Sequence, residues 1–376
     1  MSMRWRSTYR LPEHPLMLVS ASADEELRRE VAAGMLPRPE YLVLETDHQV
    51  ELLDWSQLPH RASRAGRSVG TSMTHVNAAL SRAHEATAIL SDGEHLGIPL
   101  GAALRATRRE VPHVVIGHHL DTPKKRLLFR TLGAGRHMDR VLVHSPRQRE
   151  VAIQELGIDA DRVFVLPYAV DTEFWEAGAG AAPAWPTIAS AGIEHRDYRT
   201  LAEATKGLDA RLQVSMGSTH SPQSRGRLPD RWPEHAEVSF AQPAELRRRY
   251  MEATVVAVPV TETEFPAGIT TLLEAMSMGK AVVVSATRGM SGIVEDGETG
   301  LLVPPGDVSA LHRALDRLLQ DQVLRRRLAV QARSFAVREA GVERFAAGLA
   351  RHLREVAEPS SDAPARHLST PLERHA

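Results

Sequence analysis

An alternation constrains this chain most. Short β-branched runs recur, each followed by a longer amphipathic stretch, which is the pattern of a parallel sheet wrapped by helices. In the first half, strands are predicted at Leu16–Ser20, Tyr41–Leu44, within His84–Leu90, at His113–Ile116 and at Arg140–His144, with an extended run over Arg162–Pro167. Helices are expected over Asp24–Ala33 and over Pro146–Leu156; Ser145 caps the latter, Pro146 suits its first position and Gly157 closes it. The Gly/Ala/Pro-rich Ala177–Pro186 reads as a linker region, and a second series follows. Its strands are predicted at Thr187–Ala191, Leu212–Met216, Glu237–Phe240, Val255–Val260 and Ala281–Ser285. Its helices are predicted at Tyr198–Gly207, Ala244–Ala253, Ile269–Met278, Ser309–Leu319, Gln322–Val337 and Gly341–Val356. The same α/β grammar twice over in 376 residues implies two domains.

Composition narrows the function classes. The 46 Lys+Arg and 47 Asp+Glu give a formal net charge of −1, so a general nucleic-acid binder is not expected. There is no cysteine, which removes disulfides, cysteine–zinc sites and cysteine nucleophiles. No apolar run approaches the roughly 18 residues of a membrane span, and the N-terminus lacks an apolar signal core. A cytoplasmic protein is the expectation. Only four basic residues are lysine (Lys124, Lys125, Lys206, Lys280), so an anion site would use arginine and its bidentate geometry.

The most informative stretch runs from Val258 to Asp307 and reads as strand, polar loop, helix, glycine, strand. Pro266-Ala267-Gly268 leads directly into the helix. Gly268 permits close approach of a ligand to the backbone. The free N–H groups of Gly268, Ile269, Thr270 and Thr271 at a positive helix end make an anion site. Glu274 lies about one turn in, on the face of Thr270 and Thr271, where a carboxylate could accept from a vicinal diol such as a ribose. An ordinary helix start with a solvated glutamate accounts for the same residues.

EFPAGITTLLEAMSMGKAVVVS followed by DGETGLLVPPGD resembles the nucleotide-sugar-binding half of glycosyltransferase family 4, a GT-B group of retaining enzymes. Val143–Trp175, Glu245–Pro259 and the helix from Leu311 extend the likeness, which is specific over about residues 140–320. The resemblance implies an α/β GT-B architecture: two Rossmann-like parallel-sheet domains facing across a cleft. The boundaries it suggests are 1–170 for the acceptor-side domain and 171–340 for the nucleotide-sugar domain. Residues 341–357 would return as a helix to the first domain, and 358–376 would form a disordered tail. The implied reaction transfers a sugar from a nucleotide-diphosphate sugar to a hydroxyl acceptor. No cofactor or metal is expected, and no Asp-x-Asp or Cys/His metal spacing is present near the expected diphosphate site.

The resemblance also assigns roles. Glu274 matches the second glutamate of the family's pair, which holds the donor ribose. The first glutamate's place, eight residues earlier, is Pro266; Glu264 is the candidate sugar-contacting carboxylate, with Glu262 nearby and a solvated loop acid as the plain alternative. An Arg–Lys diphosphate clamp is usual after the first strand of the second domain. SAGIEHRDYRTLAEA, Ser190–Ala204, holds no lysine. Arg196 is the first substitute and Arg199 the second, unless Arg196 pairs instead with Asp197 or Glu203. In the first domain, His118 matches a histidine that faces the donor sugar, with His119 as alternative. Asp92, Glu94 and His95 sit in a Gly-flanked loop at a strand end, where they could bind acceptor hydroxyls or merely hold the loop.

Two positions depart from the family pattern: Ser20–Asp24 reads SASAD without the usual glycines, and Gly292 stands where glutamate is common. The basic Arg61, Arg64, Arg67 and Arg82 leave room for weak peripheral membrane contact, against a solvated loop. Two rival classes remain at this point. One is a non-catalytic two-domain sugar- or nucleotide-binding protein. The other is a nicotinamide dehydrogenase, which the lack of G-x-G-x-x-G after the first strand disfavours.

Overall fold

In the computed structural model the apolar runs form two parallel six-stranded sheets. Residues 14–59, 69–132, 134–177, 185–217 and 227–358 are described. The first sheet holds β1 (His14–Leu18), β2 (Glu51–Leu53), β3 (Ala86–Ser91), β4 (His113–Ile116), β5 (Arg140–Val143) and β6 (Val163–Val165), in the order β2-β1-β3-β4-β5-β6. The second holds β7 (Thr187–Ala191), β8 (Arg211–Ser215), β9 (Ala236–Ser239), β10 (Val255–Val258), β11 (Ala281–Ser285) and β12 (Leu301–Val303), in the order β12-β11-β10-β7-β8-β9. Helices cover both faces, so central strands bury both sides: all four residues of β10 and all five of β11 are buried.

Strand order fixes where ligands can sit. In an open parallel sheet the crevice lies beyond the carboxyl ends of the strands, where the order reverses. In the first sheet that point falls between β1 and β3, and in the second between β7 and β10. The chain leaves the first sheet along residues 166–177. It closes again at the end: the backbone of Val170 bonds Ala340 and Val342 at 2.8 and 3.0 Å. The last helix, Val342–Ala357, then packs Val342, Phe345, Ala346, Leu349 and Leu353 into the first-domain core beside Met17, Leu90, Val114 and Leu142.

The structure corrects one predicted strand. Tyr41–Leu44 lies inside a helix, Glu40–His48, with Pro39 at its N-cap and Gln49 left-handed at its end. A short apolar run suits a buried helix as well as a strand, and Leu42, Val43 and Leu44 are buried either way. The second strand is instead Glu51–Leu53, and β12 was also unforeseen; each has only three residues. Three helices lacked a legible signal: Val69–Arg82, Glu94–Ala106 and Pro123–Leu132. The second contains Gly97, Pro99 and Gly101, poor helix formers. A Cβ on Gly97 would stand 2.5 Å from Val115 Cγ1, so the glycine serves close packing on β4. The predicted Pro146–Leu156 helix is α-helical over Pro146–Glu150 and continues as a π-turn over Val151–Glu155.

Most of the linker, most of the basic run (Arg61, Arg64 and Arg67) and the tail from 359 lie outside the described residues. Arg82 ends a helix and is ion-paired to Glu51.

Candidate functional site

The crevice of the second sheet is built by two loops. Gly192 follows β7 with φ +88°, and His195 is left-handed at φ +54°, a rare state for a non-glycine residue. This loop turns Arg196 inward, where it is 4% exposed. Its Nε donates to the carbonyl of Ala191 (2.7 Å), Nη1 to that of Glu194 (3.1 Å) and Nη2 to Thr271 Oγ1 (2.9 Å). A Cβ on Gly192 would lie 2.5 Å from Arg196 Nη2, and one on Gly268, at φ +85°, 3.0 Å from Nη1. Two left-handed glycines therefore flank the guanidinium.

Neither alternative partner takes Arg196: Asp197 caps Thr200 and pairs with Arg227, while Glu203 pairs with Lys206. Among the described residues no carboxylate lies within ion-pair distance of it. Arg199 is exposed on the following helix.

Gly268 caps the helix Ile269–Ser277; the N–H of Ile269, expected to be free, instead donates to the carbonyl of Pro266 at 3.1 Å. Thr270 is exposed and Thr271 is buried beneath Arg196. Glu274 is 9% exposed and accepts a hydrogen bond from Tyr250 Oη at 3.2 Å. Burial pushes its carboxyl up to about 8, against the opposing effects of the Tyr250 bond and of Arg196. Tyr250 was not foreseen; it lies fully buried on a helix 24 residues earlier, and only the fold brings it to Glu274.

Glu264 is placed differently. It lies between Arg147 of the first domain (2.5 Å) and Arg288 of the second (2.6 Å), so it ties the two sides together. Glu262 accepts from the backbone N–H of Arg288. Gly292 has φ +78°, a left-handed conformation that favours glycine.

On the first-domain side, the crevice lies where β1 and β3 end. Ser20 gives its backbone N–H to Asp92 and its hydroxyl to Asp92 Oδ1 (2.8 Å); His95 Nε2 lies 2.6 Å from the same hydroxyl. Ser20 thus ties the end of β1 to the end of β3. His118, after β4, sets Nε2 against the carbonyl of Asp92 (2.8 Å) and Nδ1 against His144 Nε2 (3.2 Å). Glu94 and His95 lie not in a loop, as expected, but in the first turn of the helix Glu94–Ala106, where Glu94 is buried. It accepts the N–H groups of His118 and His119 and pairs with Lys125. Although burial opposes it, the charges of Lys125 and His118 hold Glu94 below the ordinary carboxylate range.

His119 reaches across. Its ring packs on Phe265 with centroids 3.7 Å apart, and its Nε2 lies 3.9 Å from Glu194. The structure therefore brings His119 to the second-domain loops and keeps Glu94 away from the open cleft. One carboxylate trio, Asp171, Glu173 and Glu343, has ligand-like spacing, but Arg38 binds all three at 2.7, 3.1 and 2.5 Å.

Known proteins resemble this chain in sequence and in fold. Residues 19–174 match the family model "Glycosyltransferase Family 4" and residues 192–321 the model "Glycosyl transferases group 1". A D-inositol 3-phosphate glycosyltransferase of Stackebrandtia nassauensis is 28% identical over 63% of this chain and 61% of its own length. An alpha-D-kanosaminyltransferase of Streptomyces kanamyceticus is 24% identical over 63% of this chain and 65% of its own. Both are thus matched over somewhat less than two thirds of their length. Among solved structures, sucrose-phosphate synthase from Thermosynechococcus elongatus superposes with a TM-score of 0.70 at 18% identity, covering 92% of this chain and 99% of that one. Anabaena HepE, solved in complex with UDP and glucose, gives 0.63 at 17% identity over 91% of this chain and all of that one. One model matches each sheet and the overall fold follows the GT-B pattern, so the chain belongs to glycosyltransferase family 4, with a group 1 glycosyltransferase domain as its second half.

Proposed function

We propose that the protein transfers a glycosyl group from a nucleotide-diphosphate sugar to a hydroxyl acceptor, with retention at the anomeric carbon and without a metal. The observation that carries this reading is Arg196: a buried guanidinium with no carboxylate partner among the described residues, set between two left-handed glycines at a helix N-terminus. A buried cation left unpaired costs several kcal/mol, so the pocket favours an anion that supplies the missing charge. A diphosphate does this, and Glu274 would take the ribose hydroxyls one helical turn away. Its raised carboxyl ionises more readily once two hydroxyls donate to it.

As the bond between the anomeric carbon and the diphosphate oxygen breaks, negative charge develops on that oxygen. Arg196 and the N–H groups of Gly268 and Thr270 would stabilise it there. The acceptor oxygen bonds to the anomeric carbon on the face the diphosphate leaves, and the acceptor proton passes to the diphosphate. One C–O bond breaks, one forms, and no side-chain base is required. The first-domain crevice at Asp92 and His95 would receive the acceptor. The name of the Stackebrandtia relative supports a hydroxylated cyclic acceptor, and a second HepE structure, solved in complex with UDP-glucose, supports that nucleotide sugar as the first donor to try. We place the activity in the cytoplasm; no helix among the described residues is long and apolar enough to cross a membrane.

The test offers the full chain a panel of nucleotide sugars, with and without chelator, follows the donor by mass spectrometry and reads the product anomer by proton NMR. Donor consumption unaffected by chelator, with product of the donor's own anomeric configuration, is expected. Donor that binds and is released intact would make the protein a binder.

A further inference from the structure

The carboxyl end of the first sheet carries a continuous belt of hydrogen bonds. It runs from His95 to Ser20 (2.6 Å), Ser20 to Asp92 (2.8 Å), the Asp92 carbonyl to His118 (2.8 Å), His118 to His144 (3.2 Å) and His144 to the Leu166 carbonyl (3.0 Å). Each residue from Ser20 onward follows a strand: β1, β3, β4, β5 and β6 in turn. Carbonyl oxygens only accept, so His118 Nε2 and His144 Nδ1 both carry hydrogens. The remaining nitrogens, His118 Nδ1 and His144 Nε2, face each other. Two lone pairs do not bond, so their contact requires one more hydrogen between them.

We propose that His118 and His144 hold this third proton jointly, which makes the two rings one positively charged unit in the first-domain wall of the cleft, with His144 as the positioning residue for His118. Burial, and then the neighbouring His118, hold His144 far down, at about 3, so it acts as the acceptor in the contact. Gln148 locks the arrangement: its Oε1 accepts from His144 N (2.9 Å) and its Nε2 donates to the carbonyls of His118 (2.8 Å) and Gly117 (3.3 Å). The titratable groups around the pair are Glu40, Asp92, Glu94, His119, Lys125 and Tyr168. Glu94 is already matched by Lys125, so the charge on the pair is not cancelled there.

The contacts of His119 with Phe265 and Glu194 press this wall against the loops that carry Arg196 and Gly268. The charge therefore adds to that of Arg196 where a diphosphate would depart. A ring with both nitrogens engaged is also no general base, in accord with a proton that passes to the diphosphate. Only this consequence for turnover rests on the glycosyltransferase reading.

The test labels the histidines of the full chain with nitrogen-15 and records ring resonances near neutral pH, without ligand. One ring with both nitrogens protonated, coupled across the contact to a second histidine, is expected. In His144→Gln the side-chain amide donates to His118 Nδ1 and replaces the shared proton, so that signature disappears while the melting temperature holds. Turnover of His144→Gln should fall roughly tenfold at unchanged donor KM, less than the 100-fold typical of a donor that touches the oxyanion itself. His144→Phe, which keeps a ring without nitrogens, should also lose the signature. Wild-type rings that each show one bare nitrogen, or a signature that survives in His144→Gln, would overturn the shared proton. Unchanged turnover in His144→Gln would overturn its electrostatic role. Wild-type protein inactive on every donor would strike the proposed function and leave the resonance result standing.

Discussion

The two walls of the cleft handle buried charge in opposite ways. In the second domain, Arg196 is buried against carbonyls, a hydroxyl and glycine backbone, with no carboxylate within ion-pair distance among the described residues. In the first domain, Glu94 is equally buried, yet Lys125 and two backbone N–H groups satisfy it from within. One wall is incomplete without an anion, and the other is complete as it stands. The difference separates a binding pocket from a scaffold: the charge that lacks a partner points to the ligand, and the charge that has one holds a loop in place.

The largest expected effect breaks the complete side. Glu94→Gln leaves the half-buried Lys125 beside a neutral amide and frees the loop of His118 and His119. A stability loss on the order of 3 kcal/mol is expected, read as the shift of a denaturant midpoint. The incomplete side responds in binding before stability. Glu274→Ala should cost about 1.5–3 kcal/mol of nucleoside-diphosphate affinity by calorimetry, the scale of charged hydrogen bonds. Unchanged affinity in the folded variant would remove Glu274 from the ribose.

Glu274 also sets a pH dependence. Its folded carboxyl is raised to about 8, so the protonated form is favoured by folding. Its contribution to stability is full below the ordinary carboxylate range and is lost as pH rises toward about 8. The slope for one such group is about 1.4 kcal/mol per pH unit inside that window. Melting curves across it should flatten in Glu274→Gln. A smaller effect is expected from Tyr250→Phe, about 1 kcal/mol of nucleotide affinity, since one neutral donor to Glu274 is removed. No change there would show that Glu274 is oriented without Tyr250.

The two walls also differ in how far the chain discloses them. Gly268, Thr271 and Glu274 lie within a few residues of one another on one loop and helix, so spacing alone places them together. Arg196 could be named as the cation of its loop, but its lack of an acidic partner could not, because Asp197 and Glu203 stand just as close along the chain. The first-domain belt joins residues 20, 92, 118 and 144, which only strand order brings side by side. His144 looks like the last residue of an apolar strand, and nothing local shows that its ring meets His118. Glu94 carries the same limit: its position in a polar loop suggests an open cleft, and Lys125, 31 residues later, turns it inward. Among the elements, Tyr41–Leu44 fails for a local reason, since four apolar residues carry no period that separates strand from helix.

The central claim is that Arg196 stabilises charge that develops on a departing diphosphate. The most direct measurement is turnover of Arg196→Ala at saturating donor, beside its affinity for the free nucleoside diphosphate. A loss of about 100-fold in turnover, exceeding the loss in affinity, is expected, as for one preorganised oxyanion donor. Arg196→Lys should recover only part, because a point charge replaces a fork. Turnover of Arg196→Ala equal to wild type would contradict the account and pass the role to Arg199.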